Sequence, residues 1–264
     1  MHRHDVSSKW ITGPRRVTVW VPDGGLQAQA ALRTTDAALP ATAAPLLILH
    51  DGQNLFDADR AHRPGHTWQV AETAAKLVNE GRVSPMVIVG VDHGGEDRIL
   101  EMTPTEGNHP GAGQALLYGR FIVEELVPFI EAEYGVDAGA ANLSMGGSSL
   151  GGLVTLAIAQ QYPARFGRLL LMSPSLWWDD AVMLQRARRQ PLAPSTRVWL
   201  DVGLKEGRQT AAFVRRLRRI LTDQLDAGNL NGAEDPLGDH SEDRWASRLP
   251  EALGWLFQLP DKKP

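Results

Sequence analysis

One glycine-rich segment, Gly147-Ser148-Ser149-Leu150-Gly151, constrains the fold more than any other part of the chain. It matches the pattern Gly-x-Ser-x-Gly, which makes a sharp turn between a strand and a helix and presents its serine at that turn. The flanks suit this arrangement, because residues 141–145 are short enough for a strand and residues 150–161 form an apolar, alanine-containing run typical of a helix. Glycine at both ends avoids side chains that would collide across the turn. The segment therefore predicts a nucleophilic Ser149 at the carboxyl end of a strand.

The rest of the chain alternates between predicted strands and predicted helices. Strands are predicted at 16–22, 46–49, 86–91, 168–172 and 197–202, and helices at 67–80, 116–134, 208–225 and 243–257. The 46–49 run is apolar without alternation, as in a central parallel strand that is covered on both faces. The alternation predicts an α/β fold with a mainly parallel central sheet and helices on both faces. Because the chain has 264 residues, we expect a single domain over residues 1–264.

Several stretches are predicted to lack regular structure. A turn at 22–25 is followed by a predicted loop over 27–45, which has little helical periodicity and several breakers. Residues 92–113 are polar and interrupted by glycine and proline, so we expect a long loop over the active face. Residues 228–236 are too polar and too broken by glycine to predict a strand.

Composition excludes several classes of function. A net charge of −4 and a pI of about 6.1 argue against a nucleic-acid partner, which normally needs a strongly basic face. No apolar run approaches the ~20 residues of a membrane helix. The polar start from Met1 to Asp5 lacks the apolar core of a signal peptide, so we expect a cytoplasmic protein without a membrane partner. Cysteine is absent, and Pro64-Gly65 between His62 and His66 argues against a helical metal-binding pair, so we expect no metal or other cofactor.

Two later residues complete a predicted catalytic set with Ser149. A serine hydroxyl is a weak nucleophile unless a base accepts its proton, so Ser149 requires a histidine that is held by a carboxylate. On sheets with this elbow, the acid and then the histidine follow the serine in sequence. His240 is the only histidine after Ser149, and it lies in a turn-rich segment before the last predicted helix. Glu206, in the loop after the 197–202 strand, is the favoured acid, and Asp201 within that strand is the alternative.

An acyl-transfer site also needs two amide donors for the oxyanion. One is predicted to be the amide of Leu150, which directly follows the nucleophile. The other is predicted to come from the loop after the 46–49 strand, where Gly52-Gln53 offers the amide of Gln53.

Four further residues are predicted to contact the substrate. Asn54 lies in the same loop as the second oxyanion donor. Trp177 and Trp245 are candidates for lining an acyl pocket, against the alternative that they pack in the core. Arg98, in the 92–113 stretch, is a candidate to meet an anionic group of the substrate, against the alternative of a solvated side chain.

Several of these segments together resemble one known family. They are His50-Asp51-Gly52-Gln53-Asn54-Leu55-Phe56, Gly147 to Leu153, Ser173-Pro174-Ser175-Leu176-Trp177, Leu200-Asp201-Val202-Gly203 and His240-Ser241-Glu242. The chain resembles, from about Arg16 to Phe257, the esterase family of α/β-hydrolases that includes enterochelin, salmochelin, feruloyl and acetyl-xylan esterases and S-formylglutathione hydrolases. The resemblance implies the α/β-hydrolase fold over this core, with Ser149 as nucleophile, His240 as base and Glu206 as acid.

We therefore expect a cofactor-free serine carboxylic-ester hydrolase that works through an acyl-enzyme intermediate. Its expected substrate is a small-molecule ester with a small or aromatic acyl group, of the siderophore-lactone, phenolic or acetyl type. Two alternatives remain open. One is an acyltransferase on the same fold, and the other is a binding protein that keeps the hydrolase fold without catalysis. The sequence does not predict the oligomeric state.

Overall fold

The structure is a computed structural model that describes residues 1–22 and 44–259. The turn predicted at 22–25 and the loop predicted over 27–45 fall mostly outside these residues. The strands are β1 (His2–Val6), β2 (Arg15–Trp20), β3 (Leu46–His50), β4 (Val87–Val91), β5 (Leu143–Ser148), β6 (Arg168–Met172), β7 (Arg197–Gly203), β8 (Leu230–Asn231) and β9 (Glu234–Asp235). They follow the order β1-β2-β4-β3-β5-β6-β7-β8, and β9 also pairs with β7.

Helices connect most of these strands. They are α1 (Val70–Asn79), α2 (Arg98–Met102), α3 (Ala115–Arg120), α4 (Val127–Tyr134), α5 (Leu150–Gln161), α6 (Trp178–Arg189), α7 (Arg208–Thr222) and α8 (Glu242–Leu256). A π-helical segment at Phe121–Leu126 joins α3 to α4. The helix predicted at 116–134 is therefore present without a break, but its middle part is π-helical.

The core consists of two apolar layers, one on each face of the sheet. Successive strand residues point to opposite faces, so Leu46 and Ile48 of β3 pack with α3 to α7, whereas Leu47 and Leu49 pack with α1 and α8. Neighbouring strands from β3 onward are parallel, and β2 is antiparallel to both β1 and β4. The predicted α/β fold, with a mainly parallel sheet between helices, is confirmed. The carboxyl ends of β3 to β7 meet at one edge of this sheet.

Some parts of the chain have more regular structure than the sequence predicts. The 92–113 stretch, predicted as a loop, contains a 3-10 turn at Gly95–Asp97 and helix α2. The 228–236 stretch, predicted to lack a strand, contains β8 and β9. Strand β1 and helix α6 are also not predicted. The short strands form through distant partners on β7, Val198 with Leu230 and Val202 with Glu234, and local sequence patterns do not record such pairings.

Gly146, in the middle of β5, allows close contact with the neighbouring strand. An ideal Cβ at this position would lie 2.5 Å from the Cβ of Leu170 and 2.8 Å from the carbonyl oxygen of Leu170 on β6. We therefore expect Gly146→Ala to lower the free energy of unfolding by about 2–3 kcal/mol, because a packed core resists an added methyl group. Urea unfolding measures the change.

Gly139→Ala is the matched control for this prediction. Its Cβ would meet only the side chain of Asp137, at 3.1 Å or more, on an exposed turn. We expect the control to change the free energy of unfolding by less than about 0.5 kcal/mol. Equal effects of the two substitutions would contradict the packing argument.

Candidate active site

Ser149 occupies a strained turn between β5 and α5. Its backbone angles are φ 56° and ψ −122°, a combination that non-glycine residues rarely adopt. Backbone hydrogen bonds hold the turn, because Ser149 N–H donates to the Met172 carbonyl oxygen at 3.0 Å and Ser175 N–H donates to the Ser149 carbonyl oxygen at 3.0 Å. Across the turn, a Cβ on Gly147 would lie 2.9 Å from the carbonyl carbon of Gly151. The sharp strand-to-helix turn predicted from the sequence is thus present.

The structure brings Ser149, His240 and Glu206 into one hydrogen-bonded row. His240 Nε2 lies 2.9 Å from Ser149 Oγ, and His240 Nδ1 lies 2.7 Å from Glu206 Oε2. The Glu206 side chain is 2% exposed, whereas the His240 side chain is 46% exposed. The row therefore runs from a buried carboxylate to an imidazole that solvent reaches.

Groups other than His240 also hold the Glu206 carboxylate in position. It lies in a 3-10 turn, Leu204–Glu206, directly after β7. Its Oε1 accepts hydrogen bonds from the Ser173 hydroxyl at 2.5 Å and from Gly203 N–H at 2.8 Å. Burial disfavours the charged form of Glu206, but the hydrogen bonds from His240, Ser173 and Gly203 outweigh burial and hold its pKa below the ordinary value. The carboxylate is therefore ionised and fixed in orientation at neutral pH.

Asp201, the alternative acid, lies in a buried polar cluster and makes no hydrogen bond to His240. Its carboxylate accepts hydrogen bonds from Trp199 Nε1 at 2.9 Å, Arg248 Nη2 at 3.1 Å and Ser173 N–H at 3.3 Å. Burial raises the pKa of Asp201, although the Arg248 guanidinium opposes this shift. Asp201 therefore stabilises the buried cluster beneath the site, as expected for a side chain within the strand.

Ser173 connects this cluster to Glu206. It is buried at a positive φ of 43°, and its hydroxyl accepts hydrogen bonds from Arg248 Nη2 at 3.0 Å and Trp245 Nε1 at 3.2 Å while donating to Glu206. Ser175, two residues later, places its Oγ 3.2 Å from Ser149 Oγ. Sequence reasoning assigned no role to Ser173, Ser175 or Arg248. The signal in the sequence was that all three residues lie in segments shared with the resembled family, Ser173 and Ser175 in one and Arg248 in another.

A cavity of about 540 Å³ opens beside Ser149. It is lined by Asp51, Asn54, His62, His93, Gly95, Glu96, Arg98, Ile99, Ser148, Ser149, His240, Glu242 and Trp245. Three of the four residues predicted to contact substrate, Asn54, Arg98 and Trp245, are among them. Trp245 is 5% exposed, and its ring meets the His240 ring edge-on with the two centroids 4.9 Å apart.

Arg98 is paired with a carboxylate rather than simply solvated, which corrects the solvated alternative. Its guanidinium binds Asp51 through two hydrogen bonds, Nε to Oδ1 at 2.7 Å and Nη2 to Oδ2 at 2.8 Å. The Arg98 side chain is 27% exposed. The pair ties α2 to the loop that follows β3.

Trp177 does not line the cavity beside Ser149, which corrects its predicted place in the acyl pocket. Trp177 is 52% exposed and lines a separate pocket of about 230 Å³ with Trp178 and His109. The sequence argument relied on nearness to the end of β6, but Trp177 is exposed between the buried residues Leu176 and Trp178.

The two predicted oxyanion donors lie after neighbouring parallel strands, β3 and β5. Leu150 is the first residue of α5, so its amide has no acceptor within the helix. Gln53 lies in the 3-10 turn Gly52–Asn54, and its side-chain oxygen accepts a hydrogen bond from His93 N–H at 3.3 Å. Gly52 lets this turn approach β4, because a Cβ there would lie 2.6 Å from the carbonyl carbon of Gly90.

Neither a metal cluster nor a membrane-spanning helix is found in the described part of the chain. No group of three or more histidine, aspartate or glutamate side chains in residues 1–22 and 44–259 is arranged to hold a metal ion. No helix over the same residues is both long and apolar enough to cross a bilayer.

Comparison with known proteins gives consistent matches. The family described as "Putative esterase" matches residues 36–256. Protein YbbA of Bacillus subtilis is 26% identical, with 95% of each chain covered. Iron(III) salmochelin esterase of Escherichia coli is 27% identical over 80% of this chain, which spans only 50% of that protein.

Solved structures share the fold at low sequence identity. The BES protein of Bacillus cereus has a TM-score of 0.76 and 23% identity, with 98% of this chain and 95% of that chain covered. The siderophore hydrolase EstA of Aspergillus nidulans has a TM-score of 0.73 and 22% identity, with 97% and 93% covered. These similarities show the α/β-hydrolase fold.

Proposed function

Because the chain belongs to the esterase family and is a carboxylic ester hydrolase, we propose that Ser149, His240 and Glu206 form its catalytic triad. The row of hydrogen bonds from Ser149 Oγ through His240 to Glu206 carries this proposal. In this row, the nucleophile, the base and the orienting acid lie within the hydrogen-bonding distances that proton transfer requires.

In the first half-reaction, Ser149 Oγ attacks the ester carbonyl carbon while His240 Nε2 accepts the hydroxyl proton. Glu206 stabilises the resulting imidazolium and keeps the imidazole in the tautomer with its proton on Nδ1. The amides of Leu150 and Gln53 are the proposed donors to the oxyanion, and losing one such donor costs on the order of 10²–10³ in turnover. His240 then donates the proton to the leaving alcohol, which leaves an acyl-enzyme on Ser149.

In the second half-reaction, His240 removes a proton from water, and the hydroxide attacks the acyl carbonyl carbon. Collapse of the tetrahedral intermediate breaks the bond to Ser149 Oγ, which takes back the proton from His240 and releases the acid. The half-exposed imidazole gives water ready access to this step, which supports hydrolysis over transfer to a bound alcohol.

The proposed substrates are esters with a small or aromatic acyl group, of the siderophore-lactone, phenolic or acetyl type. Similarity to proteins named as salmochelin and enterobactin esterases, and to a structure named as a ferulic acid esterase, supports this range. The cavity of about 540 Å³ is of a size that encloses a small ligand. Asn54 and Trp245 are the proposed contacts within it.

Hydrolysis of p-nitrophenyl acetate and butyrate tests the proposed function. We expect a burst of p-nitrophenol, then steady turnover, because an acyl-enzyme accumulates when deacylation is slower than acylation. Intact mass after fluorophosphonate treatment should show a single adduct, and peptide mapping should locate it on Ser149. No turnover and no adduct would instead favour the non-catalytic binding protein.

A further inference from the structure

Ser173 occupies a buried position behind the proposed triad. It directly follows β6, is 1% exposed and does not line the cavity beside Ser149. Its N–H lies 3.1 Å from the carbonyl oxygen of Asp201 and 3.3 Å from Asp201 Oδ1. Its φ of 43° is one that a serine adopts only where the surrounding contacts impose it. Ser173 is therefore fixed in place and out of reach of a substrate in that cavity.

The Ser173 hydroxyl has one direction in which it can donate its proton. Arg248 Nη2 lies 3.0 Å and Trp245 Nε1 lies 3.2 Å from Ser173 Oγ. Guanidinium and indole N–H groups donate and never accept, so both donate to this oxygen. They occupy the two lone pairs of the hydroxyl. The remaining contact is Glu206 Oε1 at 2.5 Å, which therefore receives the hydroxyl proton.

This hydrogen bond fixes the orientation of the Glu206 carboxylate. Gly203 N–H, at the end of β7, donates to the same Oε1 at 2.8 Å. A single donor would leave the carboxylate free to turn about its last side-chain bond, which has only broad torsional preferences. With two donors on Oε1, the other oxygen, Oε2, is left to face His240 Nδ1 at 2.7 Å. The proton between Glu206 and His240 therefore stays on Nδ1, as the proposed mechanism requires.

Helix α8 directs the Ser173 hydroxyl and does so independently of Ser173. The Arg248 guanidinium is 6% exposed and forms ion pairs with Asp201 at 3.1 Å and Asp235 at 3.4 Å, so these carboxylates also hold it. A charged donor polarises the hydroxyl that accepts from it, which strengthens the next hydrogen bond in the chain. Helix α8 begins at the second residue after His240. The helix that follows the base therefore also directs the donor that holds the acid.

We infer that Ser173 is a positioning residue for ester hydrolysis. Its hydroxyl holds the Glu206 carboxylate in the orientation from which Glu206 fixes the imidazole of His240 and stabilises the imidazolium. The inference rests on the proposed function, because Ser173 acts only through the acid of the triad. It extends the catalytic arrangement to a residue that touches neither the substrate cavity nor the reacting atoms.

Ser173→Ala tests the inference by removing the hydroxyl. We expect kcat and kcat/KM for p-nitrophenyl acetate to fall together by about tenfold to a hundredfold, as for the loss of one hydrogen bond to a charged group. KM should change by less than about twofold, because Ser173 does not line the cavity. Ser173→Gly should give the same loss of kcat. Glycine also removes the hydroxyl, and it adopts the positive φ without strain.

Ser144→Ala is the matched control. Ser144 lies on β5, is 1% exposed, and its hydroxyl has no hydrogen-bond partner among the residues that the structure describes. The control removes the same group from a buried position outside the network around Glu206. We expect its kcat to stay within about twofold of the wild type. Equal losses of kcat in Ser144→Ala and Ser173→Ala would assign the effect to a general disturbance of the core and would overturn the inference.

A double-mutant cycle with Glu206→Ala separates positioning from structural support. Glu206→Ala removes the carboxylate through which Ser173 acts. Adding Ser173→Ala to this variant should lower kcat by less than about twofold more, because residues that act through one group are not additive. Structural support alone would lower kcat by the same factor in both backgrounds. Rates are compared per folded molecule, with the folded fraction taken from circular dichroism and thermal melting.

The cycle distinguishes failure of the inference from failure of the proposed function. Equal factors in the two backgrounds, or wild-type kcat in both Ser173 variants, would overturn the inference. A large loss of kcat in Glu206→Ala would then leave the proposed triad standing. If Glu206→Ala keeps the kcat of the wild type, or the wild type does not hydrolyse p-nitrophenyl acetate, the proposed function fails and the inference fails with it.

Discussion

Replacing Ser149 with alanine is expected to lower kcat for p-nitrophenyl acetate by about 10⁴-fold or more while the protein stays folded. The substitution removes only the hydroxyl that attacks the carbonyl carbon. Residual activity would come from the oxyanion donors and from substrate binding. Initial rates give the loss, and far-UV circular dichroism with thermal melting checks the fold.

His240→Ala is expected to lower kcat as much as Ser149→Ala does, because the serine is a weak nucleophile without its base. The double variant Ser149→Ala/His240→Ala should be no slower than either single variant, since the two groups act as one unit. His66→Ala is the control: it removes an imidazole that pairs with Asp243 at 2.7 Å and does not line the cavity. Retention of more than a tenth of the activity in Ser149→Ala would disprove the assignment of the nucleophile.

Glu206→Gln is expected to lower kcat by about 10³-fold or more. The amide keeps the size of the side chain but removes the negative charge that stabilises the imidazolium of His240. It also presents an N–H group that favours the wrong imidazole tautomer. KM should change little, because Glu206 is buried beneath His240 and does not line the cavity. Steady-state kinetics separate the two parameters.

Asp201→Asn is the matched comparison. Asp201 is fully buried and paired with Arg248, so the amide should destabilise the fold by about 3 kcal/mol, as breaking a buried ion pair does. Activity per folded molecule should remain within about tenfold of the wild type, because Asp201 does not contact His240. A large loss of activity per folded molecule in Asp201→Asn, together with unchanged activity in Glu206→Gln, would reverse the assignment of the acid.

Much of this architecture could be predicted from local sequence patterns. The continuous apolar run at 46–49 predicted a buried parallel strand, and β3 is fully buried. The helix predicted after Ser149 begins and ends where α5 does, at Leu150 and Gln161. The predicted resemblance to the esterase family is confirmed by a match over residues 36–256.

The choice between Glu206 and Asp201 shows where local patterns reach their limit. The two residues are five positions apart, and either could follow β7 toward a histidine loop. The sequence favoured Glu206, but the direction of each side chain depends on its distant partners. Arg248 and Trp199 hold Asp201 inward, whereas Gly203 and Ser173 orient Glu206 toward His240.

The sequence by itself determined the layered α/β fold, the turn at Ser149 and the candidates for the catalytic set, because burial, helical periodicity and turn sterics act between near neighbours. Only the tertiary structure decided which groups meet. Ser149 and His240 are 91 positions apart, and Glu206 and His240 are 34 apart. The buried cluster around Ser173 and the exposed position of Trp177 likewise depend on contacts that form only when distant loops pack at one edge of the sheet.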